Sequence, residues 1–175
     1  DLYPQAKSQI SSHGKERRLQ SNIFKLKAFH SEKQENDIAV CGVIKNRRVI
    51  EYINQDVIDL KFKNNIKGYK VLVPKSNGSG TLGEQVSSPM LGSPMLGYTY
   101  TFIGIGNFKN KLSAENCMKY IKTKFARAML GTLKVTQDNP RDVWKFVPLQ
   151  DFTSTSDIDW SQSISGIDRQ LYAKY

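Results

Sequence analysis

"YTYTFIGIGNFKNKLSAENCMKYIKTKFARAMLG", residues 98–131, carries two periodicities in one short stretch. Through residue 106, aromatic and β-branched side chains alternate with smaller ones, the pattern of a strand. From Ser113 the spacing changes. Cys117, Ile121, Phe125 and Ala128 fall on one helical stripe, with Ser113 placed to cap the start and Gly131 to end it. A strand followed by a long basic helix predicts a mixed α/β, or α+β, domain.

The same elements recur outward from this stretch. "DIAVCGVI" (Asp37–Ile44) reads as a buried strand, and "RRVIEYI" (47–53) as its hairpin partner across a Lys45-Asn46 turn. "YKVLVPK" (69–75) is a short buried strand stopped by Pro74, and "VWKFVPL" (143–149) reads as a last strand. Residues 23–29 suggest another, with Phe24, Leu26 and Ala28 on one face and Lys25 and Lys27 on the other. A terminal helix begins near Ile164. The expected organisation is a polar lead-in over 1–22, one domain over 23–160, and the start of a helical segment over 161–175. The chain opens without an initiator Met and closes on "GIDRQLYAKY" in mid-pattern, which predicts a segment excised from a larger protein.

The loop expected over residues 76–98 is rich in Gly, Ser and Pro and holds a duplication, "SPMLG" at 88–92 and again at 93–97. Loops of this length are often functional. Met90, Leu91, Met95 and Leu96 either pack beneath it or wedge against a partner.

With 175 residues, 39% hydrophobic and 24% charged, the chain is long enough for one real core. No apolar run approaches the ~18 residues of a membrane span, and no leader-like segment opens the chain. Cys41 and Cys117 lie in apolar patterns and read as buried thiols of a reducing, cytoplasmic compartment. His13 and His30 lie far from any Cys pair, so no zinc spacing exists.

The net charge of +10 and pI near 9.6 point to a polyanionic partner, the competing reading being a merely solvated surface. Lys119, Lys122, Lys124 and Arg127 lie off the apolar stripe of the basic helix. The loop after it supplies Lys134, Thr136, Gln137, Asn139 and Arg141, donors and acceptors of the kind used on base edges. "KSNGSG" (75–80) is a second such loop. There Lys75, Ser76, Asn77 and Ser79 stand among glycines that let backbone N–H groups approach phosphate. The expected site is this set, with double-stranded DNA as the partner and neither a catalytic residue, a cofactor nor a metal in the chain itself.

Enzymatic motifs are weaker. "FIGIG" (102–106) resembles a glycine-rich S-adenosylmethionine loop but lacks an acidic ribose-binding residue at the right distance. "NPRD" (139–142) has Arg and Asp where an adenine methyltransferase tetrapeptide needs proline and an aromatic ring. Asp59-x-Lys61 has the spacing of a metal-dependent nuclease core, a runner-up reading that needs a further acid such as Glu51 or Asp37. A third reading is a subunit-docking module acting through the "PMLG" loop.

"YIKTKFARAMLGTLKVTQDNPRDVWKFVPLQDFT" and the following "DIDWSQSISGIDRQLYAKY" resemble the C-terminal region of bacterial adenine-specific DNA methyltransferases of type II restriction–modification systems. That group includes enzymes combining methylase and endonuclease on one chain. The upstream "PKSNGSG" and "GYTYTFIGIG" agree with it, so the resemblance covers about residues 70–175. It implies a target recognition domain that reads DNA beside a separate catalytic domain of the same parent. The parent would use S-adenosylmethionine, and Mg2+ if it also cleaves.

Overall fold

The computed structural model describes residues 19–58, 66–76, 88–132, 136 and 138–175. Among these described residues, six strands and three α-helices form a mixed α+β architecture. Strands β1 (Asp37–Ile44) and β2 (Arg47–Asn54) make the expected antiparallel hairpin, Asp37 opposite Asn54 and Ile44 opposite Arg47. Its two-residue turn holds Lys45 at φ 48° and Asn46 at φ 60°, the left-handed pair that matches the twist of hairpin strands. Strand β3 (Tyr69–Pro74) is the centre of a second sheet, flanked by β4 (Met90–Gly92) and β6 (Phe102–Phe108). Strand β5 (Leu96–Tyr98) leaves that sheet and runs parallel to β1, giving the orders β2-β1-β5 and β4-β3-β6.

The sequence-based outline needs five corrections. Residues 23–29 are not a strand. Ile23–Lys25 is a 3-10 helix, and Ile23, Leu26 and Phe29, spaced by three, are the residues it buries. The duplicated segment is not irregular loop. Its first copy forms β4 and its second enters β5, so Leu96 is buried while Met95 sits exposed in the connecting turn at φ 61°. The strand expected over 98–106 begins later, at Phe102, because Thr99 to Thr101 form a turn closed by Phe102 N–H to Thr99 O at 3.0 Å. Residues 143–149 are not a strand either. Arg141–Phe146 is a 3-10 helix following Pro140, and its end at Val147 runs into Pro148, which has no N–H for a ladder.

The fifth correction concerns the long basic helix, which is two. Helix α1 (Lys111–Tyr120) is capped by the Asn110 side chain, not Ser113, and α2 (Lys124–Gly131) starts afresh after Thr123. Thr123 is extended at ψ 153°, and its hydroxyl accepts from Ala126 N–H at 3.1 Å and donates to Tyr120 O at 2.6 Å. Asp168 of α3 (Ile164–Lys174) takes the N–H groups of Lys124 and Phe125, each at 3.0 Å. Two side chains thus satisfy the donors a new helix start exposes. The apolar stripe of Cys117, Ile121 and Phe125 continues through the break, which is why spacing alone hides it.

The main core joins Val71 and Val73 of β3 to Cys117, Tyr120, Phe125, Leu130, Trp160, Ile167 and Leu171. A second cluster sets Ile23, Leu26 and Phe29 against Ile38, Val40 and Ile53 of the hairpin. Cys41, Leu72, Leu96 and Phe102 fill the space between the sheets. Both cysteines are free and buried, as expected. Burial raises both thiols, Cys117 to about 12, so neither is a thiolate near neutral pH.

Candidate nucleic-acid interface

The two polar loops of the sequence, 62 residues apart in the chain by their bridged members, meet in space. Ser76 and Asp138 form an antiparallel bridge, and Asn139 donates its backbone N–H to Lys75 O at 2.7 Å. One side of this junction is the end of β3. The other leads through Pro140 into the 3-10 helix, against which α2 packs. A turn of Asp138 N–H onto the Thr136 hydroxyl at 3.3 Å shapes the approach.

The structure sorts the individual site residues. Lys122 and Lys124 are exposed at the break between α1 and α2, and no carboxylate among the described residues pairs with either ammonium group. Ser76 and Thr136 are also exposed. Lys119 points elsewhere: its ammonium donates to Trp160 O at 2.6 Å, fixing the loop before α3 to α1. Arg127 is half-buried, with Nε donating to Thr123 O at 3.2 Å across the start of its own helix. Lys75 lies 3.8 Å from Asp138 Oδ2 and 3.8 Å above the Tyr100 ring, so its charge is already engaged on two sides. Asn139 is fully buried and presents no surface at all. Asn77, Ser79, Lys134 and Gln137 lie outside the described residues, as do the side chain of Arg141 and the nuclease pair Asp59 and Lys61.

The glycines of "FIGIG" are strand residues, Gly104 standing opposite Leu72 within the β3–β6 ladder. They form no turn at the end of a strand, so the residues do not fit the S-adenosylmethionine loop they superficially resemble. No group of three or more His, Cys, Asp or Glu that could hold a metal occurs among the described residues.

Spacing did not reveal a cleft of about 500 Å3 between α1 and residues 153–161, lined by Leu112, Asn116, Lys119, Asp157, Trp160 and Gln170. The Asp-x-Thr and Asp-x-Ser pairs were the available signal, since each folds into a turn on its own carboxylate. Asp151 accepts from Thr153 N–H at 2.8 Å, and Asp159 from both the N–H and the hydroxyl of Ser161. These hydrogen bonds hold both carboxyls below the ordinary Asp range, led by the Thr153 amide for Asp151 and the Ser161 hydroxyl for Asp159. Both acids are therefore occupied in shaping the loop.

No protein family, curated protein or solved structure matches the chain.

Proposed function

We propose that this chain is the DNA-sequence-recognition domain of an adenine-specific restriction–modification methyltransferase, working beside a catalytic domain that binds S-adenosylmethionine. The observation that carries this reading is the Ser76–Asp138 bridge. It joins two segments of the chain that each carry groups suited to phosphate and base edges. The chain, of net charge +10, also exposes Lys122 and Lys124 as point charges at the break between α1 and α2. Positioning on phosphate and reading of bases call for these two kinds of group on one domain. The resemblance over residues 70–175 supplies the class of the parent enzyme. Cytoplasmic location follows from that class, and no helix among the described residues is long and apolar enough to cross a membrane.

The test is a fluorescence-anisotropy titration of the chain with duplex DNA across a salt series. Neutralising ~4–6 phosphates gives a log–log slope of roughly −4 to −5. Affinity that ignores salt contradicts the proposal, and cleavage of plasmid with Mg2+ that is lost on Asp59→Ala replaces it with a nuclease.

A further inference from the structure

Asn139 is fully buried, yet neither its amide nitrogen nor its amide oxygen has a hydrogen-bond partner. Its neighbour in the chain, the indole N–H of Trp144, is buried and unpaired as well, and the two orphaned groups do not bond each other. Each unmet buried group costs about 1–3 kcal/mol. An apolar side chain of similar volume would fill the position without that cost. An amide here calls for an explanation, and a second state in which it is paired would supply one.

The residues around it show how that state is reached. Asn139 is held by its backbone, through Lys75 O at 2.7 Å and Asp138 Oδ1 at 3.1 Å, and not by its side chain. The strand bridge next to it is reinforced by the Lys75–Asp138 ion pair, a loose contact of 3.8 Å whose side chains are 24% and 43% exposed. Such a pair is worth at most about 1 kcal/mol and is screened by salt. A DNA phosphate, with its fixed charge and several acceptor oxygens, competes directly for Lys75.

Resting on the DNA-recognition reading above, we propose that Asn139 is a base-reading amide held in reserve, released toward an adenine edge of duplex DNA when phosphate draws Lys75 from Asp138. An Asn amide donates to adenine N7 and accepts from its N6 amino group, so the two orphaned atoms match the two positions of that edge. The domain then resists reading bases until it is seated on a backbone.

The experiment selects an enriched sequence from a random duplex pool with the wild-type chain. It then compares wild type, Asn139→Leu and Asp138→Asn for melting temperature and for affinity to enriched and random duplexes. Asn139→Leu is expected to keep or raise the melting temperature and to lose tenfold or more of the preference for the enriched site. Replacing the critical adenine by 7-deazaadenine weakens wild type and leaves Asn139→Leu unchanged. Asp138→Asn, which opens the clasp, binds both duplexes several-fold more tightly. A lower melting temperature in Asn139→Leu with an unchanged preference overturns the inference, because the amide is then structural, bonded to internal water. Indifference of wild type to 7-deazaadenine also overturns it. Wild type that binds DNA with no preference removes the reserve reader and leaves the electrostatic reading intact. Absence of any DNA affinity removes both.

Discussion

Asp168 and Phe125, 43 residues apart, are joined by a hydrogen bond of 3.0 Å from the Phe125 N–H to the Asp168 carboxylate, and the other carboxylate oxygen takes the Lys124 N–H. A residue of the last helix thereby caps the second one. The orientation of the cationic break between α1 and α2 depends on a contact from far along the chain. Replacing Asp168 with Ala removes a buried acceptor from two N–H groups and is expected to cost about 1–3 kcal/mol. Thr123→Ala costs about 1 kcal/mol. Both residues serve one helix start, so the double variant departs from additivity, and urea denaturation of the four proteins measures the coupling.

Lys70 sits wholly buried in β3 with its ammonium 3.1–3.4 Å from the carbonyls of Ile66, Ser93 and Leu96. Burial lowers it from 10.5 to about 8. Below that pH it is charged in both folded and unfolded chains, and the whole burial penalty is present. Between about 8 and 10.5 the unfolded chain holds the extra proton, so stability rises with pH. The gain approaches roughly 3 kcal/mol. Melting curves across this range are expected to shift upward in wild type, and Lys70→Met is expected to remove that shift.

His30 Nε2 and Asp37 Oδ2 stand 2.6 Å apart, tying the segment before β1 to its first residue. Burial tends to raise the Asp37 carboxyl, but hydrogen bonds from His30 and the Gln34 amide, with the charges of His30 and Lys33, outweigh it, and the net shift is downward. A depressed carboxyl stabilises above its unfolded value and loses that contribution as pH falls through the folded one. The affected window lies below about pH 4. His30→Ala is expected to lower the melting temperature at pH 6 and to make the decline below pH 4 shallower.

The ammonium groups of Lys122 and Lys124 pair with no carboxylate among the described residues, and under the proposed function they meet phosphate. Alanine at either is expected to weaken binding alike on every sequence and to reduce the salt slope by about one. Alanine at Gln137 or Arg141 is expected to cost about 1–3 kcal/mol on the preferred site and little on random DNA. Lys119→Ala behaves differently again, lowering the melting temperature through the lost bond to Trp160 O while leaving the salt slope unchanged.

The hairpin, β3 and the last helix were legible because each carries its own local signal: a two-residue turn, a continuous apolar run, a helical pattern from about Ile164. The elements that were misread depend on information spacing lacks. Residues 23–29 offer Phe24, Leu26 and Ala28 to a strand and Ile23, Leu26 and Phe29 to a 3-10 turn, and only packing on the hairpin decides. The helix break at Thr123 is set partly by Asp168, beyond any local window. In the candidate site, residue chemistry identified two polar loops and the bridge brings them together. Chemistry alone could not separate exposed Lys122 from Lys119, which is spent on a carbonyl, or foresee that Asn139 faces inward.

The duplicated "SPMLG" gives the crossover between the sheets a near-degenerate competitor. Lys70 pairs with Gly92, whose missing side chain leaves room for the lysine stem, since a Cβ there would stand 2.8 Å from Lys70 Cγ. Gly97 ends the second copy of the same five residues and offers the same absence. A chain slipped by one copy can begin β4 with the wrong pentapeptide and still leave room for the Lys70 stem. It then lacks the length to bring Tyr98 alongside Cys41 in the other sheet. The duplication therefore offers the chain two registers that share a glycine beside Lys70. Only the native one lets Leu96–Tyr98 reach the parallel pairing with Ala39–Cys41, so the second sheet carries the discrimination that the first lacks.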